Sequence, residues 1–366
     1  MNATARPVVL VENDPFPRLL QAFLAAEEDA PHDHERSARI AEFLAHDEPD
    51  YAGWLARARA AAPGLYPAEV VLVDDEAALH AALPRAHAVV TESLRIGPRE
   101  LALAPQLRVV QKYGTVLRNI DAAACRAHDV AVLTLRRRAN VACAEHAYAL
   151  LLALTRRLDD IDGLVSFEHL HARGFPAAMF DTRHTPNSNW ARIGGLRTVY
   201  GLRAGILGLG EIGREVATRA LAFGMTLSYH QRTPLTDREA AHYQAEYRSL
   251  DDLLRTSDVV FVTLPSTPAT RGLLGARELA LMKRDALLIN VSRAAIVDRH
   301  ALLAALTQGR LGGLGLDAYY DEPARPDDPL LTAPRAVFTP RVAAQPRHNA
   351  LADLAQVMAQ LAAALA

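Results

Sequence analysis

The feature that most constrains this chain is a short apolar run at 204–207. It stops at Gly208-Leu209-Gly210-Glu211-Ile212-Gly213 and gives way to a helical pattern. A glycine-spaced loop is a weak signal alone, but between a strand and a helix start it is strong. Gly208 permits the tight turn, Gly210 lets the backbone approach a pyrophosphate, and Gly213 lets the helix pack on the strand. The first N–H groups of that helix, with Glu211 and Ile212 at its head, then face the phosphates, as does its positive dipole end. A dinucleotide is the expected ligand, held on a parallel α/β sheet.

A unit of this kind that takes NAD carries Asp or Glu about twenty residues on, where the carboxylate holds the ribose 2′-hydroxyl. Here the strand expected at 226–229 runs into His230-Gln231-Arg232, and the next acid is Asp237, beyond Pro234. Without the acid a 2′-phosphate is not repelled, and Arg232, assisted by His230, can pair with it. NADP is the expected cofactor, with NAD as the alternative if Arg232 is only a solvated loop residue.

Upstream, apolar and β-branched runs at 8–11, 70–73, 88–91, 107–110 and 130–133 alternate with helical stretches, and 15–61 has helical spacing (Phe16, Leu19, Leu20, Phe23, Leu24). A long helix is expected over 141–158. The segment 162–201, rich in Gly, Pro, Asn, Thr, His and Arg, has no period, as in a functional segment or an oligomer arm. After the glycine loop, strands at 226–229, 259–263, 286–290, 313–316 and 337–339 alternate with helices at 212–223, 250–254 and 300–308. An amphipathic helix at 350–365 closes the chain. Two alternating regions in 366 residues imply two Rossmann-like domains with parallel sheets, each with its own core.

Composition narrows the function. Forty basic against 42 acidic residues, scattered along the chain, exclude a nucleic-acid binder. Two cysteines, Cys125 and Cys143, suit a reducing compartment. The first ten residues lack the pattern of a signal peptide, and the longest apolar stretch, 147–154, is too short to span a bilayer. The expectation is a cytoplasmic protein with no membrane, nucleic-acid or metal partner.

Several ordered motifs resemble the D-isomer-specific 2-hydroxyacid dehydrogenases, most strongly over 107–154 and 202–342. Gln111-Lys112-Tyr113-Gly114 through Asn119-Ile120-Asp121 is similar to that family's substrate loop, so the resemblance assigns substrate binding to Lys112, Tyr113, Gly114, Thr115 and Val116. Asn140-Val141-Ala142-Cys143-Ala144-Glu145-His146 is similar to the start of its interdomain helix. Leu264-Pro265 with Thr270 matches a turn beside the cofactor, as do Val291 and Ser292; Arg293 matches the catalytic arginine. Gly315-Leu316-Asp317 matches another cofactor contact, at Asp317, and Glu322-Pro323 the catalytic glutamate. The resemblance implies a cofactor domain, 146–334, inserted into a discontinuous substrate domain, 1–145 and 335–366. It also implies an active site in the cleft and a homodimer.

The implied reaction interconverts a 2-keto acid, or a related anionic carbonyl compound, and its D-2-hydroxy acid by hydride transfer. Arg293 suits the substrate carboxylate because its guanidinium is planar, bidentate and permanently charged. The family pairs its glutamate with a histidine that donates the proton; directly after Pro340 this chain has Arg341 instead. Arginine neither gives nor takes a proton at neutral pH. Arg341 then polarises the carbonyl while another group supplies the proton, or binds a second anion of an unusual substrate. Otherwise the chain is a cofactor-binding protein or a non-redox enzyme on the same fold. Lys112 and Tyr113 are the better candidate donors, followed by Tyr319, Tyr320 and His348, the last read as a solvent-exposed residue. A second departure is Thr115-Val116-Leu117-Arg118, where the family has a glycine second and an acid fourth.

Overall fold

The structure, a computed structural model, describes residues 6–26 and 33–366. Part of the expected helical stretch 15–61, residues 27–32, lies outside the described residues. Two compact units divide the chain. The first comprises 1–142 with 344–366, and the second 143–343.

The first unit holds five parallel strands: β1 (Val8–Glu12), β2 (Glu69–Val73), β3 (Ala88–Thr91), β4 (Val109–Lys112) and β5 (Ala131–Leu133). Their order across the sheet is β2-β1-β3-β4-β5. These strands are runs of Val, Leu and Ala without polar alternation, because helices cover both faces. One face is closed by Phe23, Leu44 and Leu65 with Leu354, Val357 and Met358 of the last helix, His348–Leu365. The other is closed by Leu79, Leu83 and Ile96.

The second unit holds seven parallel strands: β6 (Arg203–Leu207), β7 (Thr226–His230), β8 (Ala245–Tyr247), β9 (Val259–Val262), β10 (Leu287–Asn290), β11 (Gly313–Leu316) and β12 (Ala336–Phe338). Their order is β12-β11-β10-β9-β6-β7-β8. β12 pairs with β11 in this sheet, and the second unit runs on to Ala343, whereas the resemblance implies a return to the first domain from 335. Strand order reverses beside β6, where open α/β sheets place ligands at the carboxyl ends of their strands. Register puts Leu207 opposite both His230 and Val262, Val262 opposite Asn290, and Asn290 opposite Leu316. Gly208, Gln231, Val291 and Asp317, each next after its strand, therefore lie along one edge.

Several polar elements escaped the sequence reading. The helix Asp237–His242, strand β8 and the helix Ala276–Leu281 are short and carry little apolar period. The segment 162–201 contains a helix, Phe167–Ala172, and a small core of Leu170, Ala177 and Ile193 with Phe175 and Trp190 packed on it. The long helix starts three residues earlier than expected, at Arg138, and runs to Arg156. Among the described residues, no helix is long and apolar enough to cross a membrane.

Candidate functional site

The glycine loop is built by close approach. Gly208 has φ +94°, and a Cβ there would lie 2.8 Å from the Leu264 side chain. A Cβ on Gly213 would lie 2.1 Å from the Gly208 carbonyl oxygen, so only glycine lets this helix meet its strand. At Gly210 a Cβ would meet nothing within 4 Å, which leaves that side of the loop open for a phosphate. The Thr263 hydroxyl ties the turn from below, donating to the Gly208 carbonyl at 2.7 Å. These residues fit a dinucleotide.

Gln231, which the sequence sets at the cofactor edge, has both ends of its amide engaged by the backbone. Its Oε1 accepts the Leu209 N–H at 3.0 Å and its amide donates to the Thr233 carbonyl at 2.7 Å, bracing the glycine loop. His230 is likewise committed: Nδ1–H donates to the Arg248 carbonyl at 2.9 Å, and the ring stacks near Tyr247. Arg232 is exposed and, among the described residues, has no acidic partner. Farther along the edge, Ser292 donates to the Leu264 carbonyl, and Thr270 donates to the Pro265 carbonyl at 2.6 Å. Asn290 shapes the next turn: its Oδ1 accepts Ser292 N–H at 2.9 Å and its Nδ2 donates to the Arg293 carbonyl at 3.0 Å. The Arg293 side chain emerges exposed, with Nη1 on the Ser292 carbonyl at 2.9 Å, and Val291 is buried behind it.

The turn after β12 carries Arg341. The buried Asp317 carboxylate accepts the Thr339 hydroxyl at 2.7 Å, Val342 N–H at 2.9 Å and Ala343 N–H at 3.0 Å. Its main-chain oxygen accepts Arg341 N–H at 2.7 Å. Asp317, expected from the resemblance to touch the cofactor, clamps the turn that carries Arg341. His146 completes the clamp, with Nε2 2.8 Å from the Thr339 hydroxyl oxygen and 3.4 Å from Asp317. Sequence reasoning placed His146 only within a helix motif; nothing local signals a partner nearly two hundred residues away. Arg341 Nη1 donates to Glu322 Oε2 at 2.7 Å, while Glu322 Oε1 accepts Tyr319 N–H at 3.1 Å.

Two of the tyrosine candidates for proton donor are hydrogen-bonded through their hydroxyls. Tyr319 donates its hydroxyl to Asp328 and Tyr320 donates to the Val297 carbonyl; burial pushes both phenols up, so neither yields a proton readily. His348 is exposed at the head of the last helix.

In the first unit, Lys112 closes β4 as a buried cation, donating to the Glu92 carbonyl and to Asn119 Oδ1 at 3.0 Å. Tyr113 is buried under the Arg137 guanidinium, 4.5 Å from its ring centre, and burial pushes its phenol up. Gly114 is buried, Thr115 exposed and Val116 half-buried. Arg137 pairs with Glu92 at 3.0 Å, yet burial of Glu92 outweighs the arginine and raises its carboxyl above the usual range. Glu12, at the end of β1, holds the adjoining loop by accepting N–H groups of Glu92 at 2.6 Å and Ser93 at 2.8 Å.

Comparison with known proteins places this architecture. Residues 148–343 match the profile of the D-isomer specific 2-hydroxyacid dehydrogenase NAD-binding domain. The chain is 36% identical to a glyoxylate reductase of Aeropyrum pernix over 254 residues, 69% of this chain and 71% of that one. It is also 36% identical to a D-3-phosphoglycerate dehydrogenase of Mycobacterium tuberculosis over 281 residues, 75% of this chain but 49% of that longer one. Among solved structures, the TT0316 protein of Thermus thermophilus superposes with TM-score 0.50 at 29% identity, covering 96% of this chain and 94% of its own. Matching that profile over more than half its length, and these relatives at 36% identity, the chain belongs to the D-isomer-specific 2-hydroxyacid dehydrogenases, oxidoreductases that use a nicotinamide cofactor to interconvert 2-keto and D-2-hydroxy acids.

Proposed function

We propose that the chain reduces a 2-keto acid, or a related small anionic carbonyl compound, with NADPH, and that Arg341 acts by charge where a histidine would act by proton transfer. The observation that carries this reading is the 2.7 Å contact of Arg341 with Glu322, on a turn that Asp317 holds from three sides. When bound, the nicotinamide supplies the hydride. Arg293 holds the substrate carboxylate through its bidentate fork. A guanidinium carries a permanent positive charge, so in this reading Arg341 stabilises the oxyanion as negative charge develops on the carbonyl oxygen. Glu322 fixes its guanidinium. The Arg341 side chain is 55% exposed, which admits the water that then delivers the proton.

Preference for NADPH rests on the missing acid after β7 and on the exposed Arg232, which has no acidic partner among the described residues. That the relatives are named as a reductase and a dehydrogenase favours turnover over a cofactor sensor or a non-redox enzyme. Cys125 and Cys143 are both buried and neither forms a disulfide, which supports a reducing, cytoplasmic setting. A homodimer is part of the reading, with 167–195 contributing to its interface.

The test is purified protein with NADPH or NADH and a panel running from glyoxylate to larger 2-keto acids. Steady NADPH consumption on any member supports the reading. Tight NADPH binding with no consumption on every member overturns it in favour of the sensor.

A further inference from the structure

The loop between β7 and the helix Asp237–His242 is pinned along its length, and the pinning fixes what its far end presents. Gln231 ties its start to Leu209; buried Leu235 donates its N–H to the Tyr229 hydroxyl at 2.9 Å. Thr236 and Glu239 then cap the helix reciprocally. Arg238, in the first turn, therefore has a fixed origin. It lines an open pocket of about 530 Å³ with Arg214, Glu239, His242 and Tyr243.

The charges in this pocket do not cancel. Arg214 is spent, bound to Glu239 at 2.7 Å and lying over the Tyr243 ring. Arg238 has no acidic partner among the described residues, and His242 adds a second nitrogen base on the same wall. The pocket also adjoins the glycine loop, since Arg214 Nε reaches toward the Leu209 carbonyl at 3.4 Å. Arg232 stands, exposed, on the pinned loop that leads from Gln231 to Arg238.

Resting on the NADPH reading above, we infer that this pocket receives the cofactor's 2′-phosphate, and that Arg238 shares with Arg232 the selection of NADPH over NADH. A dianionic phosphate matches one unpaired guanidinium on the loop and another in the pocket, and each such contact is charge-assisted. The Arg214–Glu239 pair holds the pocket open without neutralising it.

Calorimetric titration tests this with NADPH, NADH and the fragment 2′-AMP. Arg238→Ala should weaken NADPH and 2′-AMP roughly tenfold, the effect of losing one charged contact, and leave NADH unchanged within about twofold. Arg238→Glu should weaken them further, and Arg232→Ala combined with Arg238→Ala should erase the preference. If Arg232→Ala collapses the NADPH-to-NADH ratio while both Arg238 variants leave it intact, the pocket is overturned and the NADPH reading stands. A wild type that binds NADH as tightly as NADPH overturns both.

Discussion

Arg341 meets Glu322 at 2.7 Å from a backbone in the left-handed region, φ +57°. A side chain held there costs about 1–2 kcal/mol, which the hydrogen bonds to Asp317 offset. Strain kept at this position argues that the guanidinium is needed where it is. Arg341→Ala should lower kcat by about 10²–10³-fold, the usual loss when an oxyanion partner is removed, as read from NADPH oxidation. Arg341→His should shift preference toward simple 2-keto acids and introduce an inflection near pH 6.5 that the wild type lacks. Unchanged turnover in Arg341→Ala would place the residue outside the chemistry.

Asp317 is the fulcrum of that turn. Removing its carboxylate leaves a hydroxyl and two backbone N–H groups without their acceptor, at about 1–3 kcal/mol for each buried donor that water does not reach. Asp317→Ala should therefore destabilise by roughly 2–4 kcal/mol in urea denaturation, whereas Thr339→Val, which removes one donor, should cost about 1 kcal/mol. Equal losses in the two variants would show that Asp317 is not the organising group.

What was legible in the sequence was local. Gly208 and Gly213 declare themselves because their spacing answers a contact between adjacent elements, and the buried parallel strands declare themselves as unbroken apolar runs. The clamp of His146, Thr339 and Asp317 joins three distant segments through polar side chains, so no period or spacing marks it. Gln231 follows β7 and spends both polar atoms of its amide on the backbone, and His230, the last residue of β7, spends Nδ1 there, which composition cannot reveal. Tyr319 and Tyr320 are candidate donors by residue type, but their hydroxyls go to Asp328 and the Val297 carbonyl, partners that no local pattern marks.

The segment 167–195 bears on self-association. Phe167 and Met179 are exposed beside the small core of Leu170, Ala177 and Ile193, and Val165 just before it is 81% exposed. Large apolar side chains left bare around a loop with its own core suit an interface. Light scattering at micromolar concentration should give twice the chain mass, and Val165→Glu with Met179→Glu should shift it toward one. A monomeric wild type would remove the dimer from the reading.

Acid stability should report on Asp328. Its buried carboxylate accepts hydrogen bonds from Arg299, from the Tyr319 hydroxyl at 2.7 Å and from Leu330 N–H at 3.0 Å. The Arg299 guanidinium, with the other donors, holds it down to about 2, against an ordinary 3.8. A carboxyl lowered by folding stabilises the native state fully above its unfolded value, and that contribution fades as pH falls through 3.8 toward 2. Arg299 is half-exposed, so solvent screening limits the contribution to on the order of 1–2 kcal/mol. The gap in urea midpoint between wild type and Asp328→Asn should accordingly be widest near neutrality and narrow between pH 5 and pH 3. Arg299→Ala should close most of the same gap at neutral pH. Parallel curves across that range would mean that Asp328 carries no charge-dependent share of the stability.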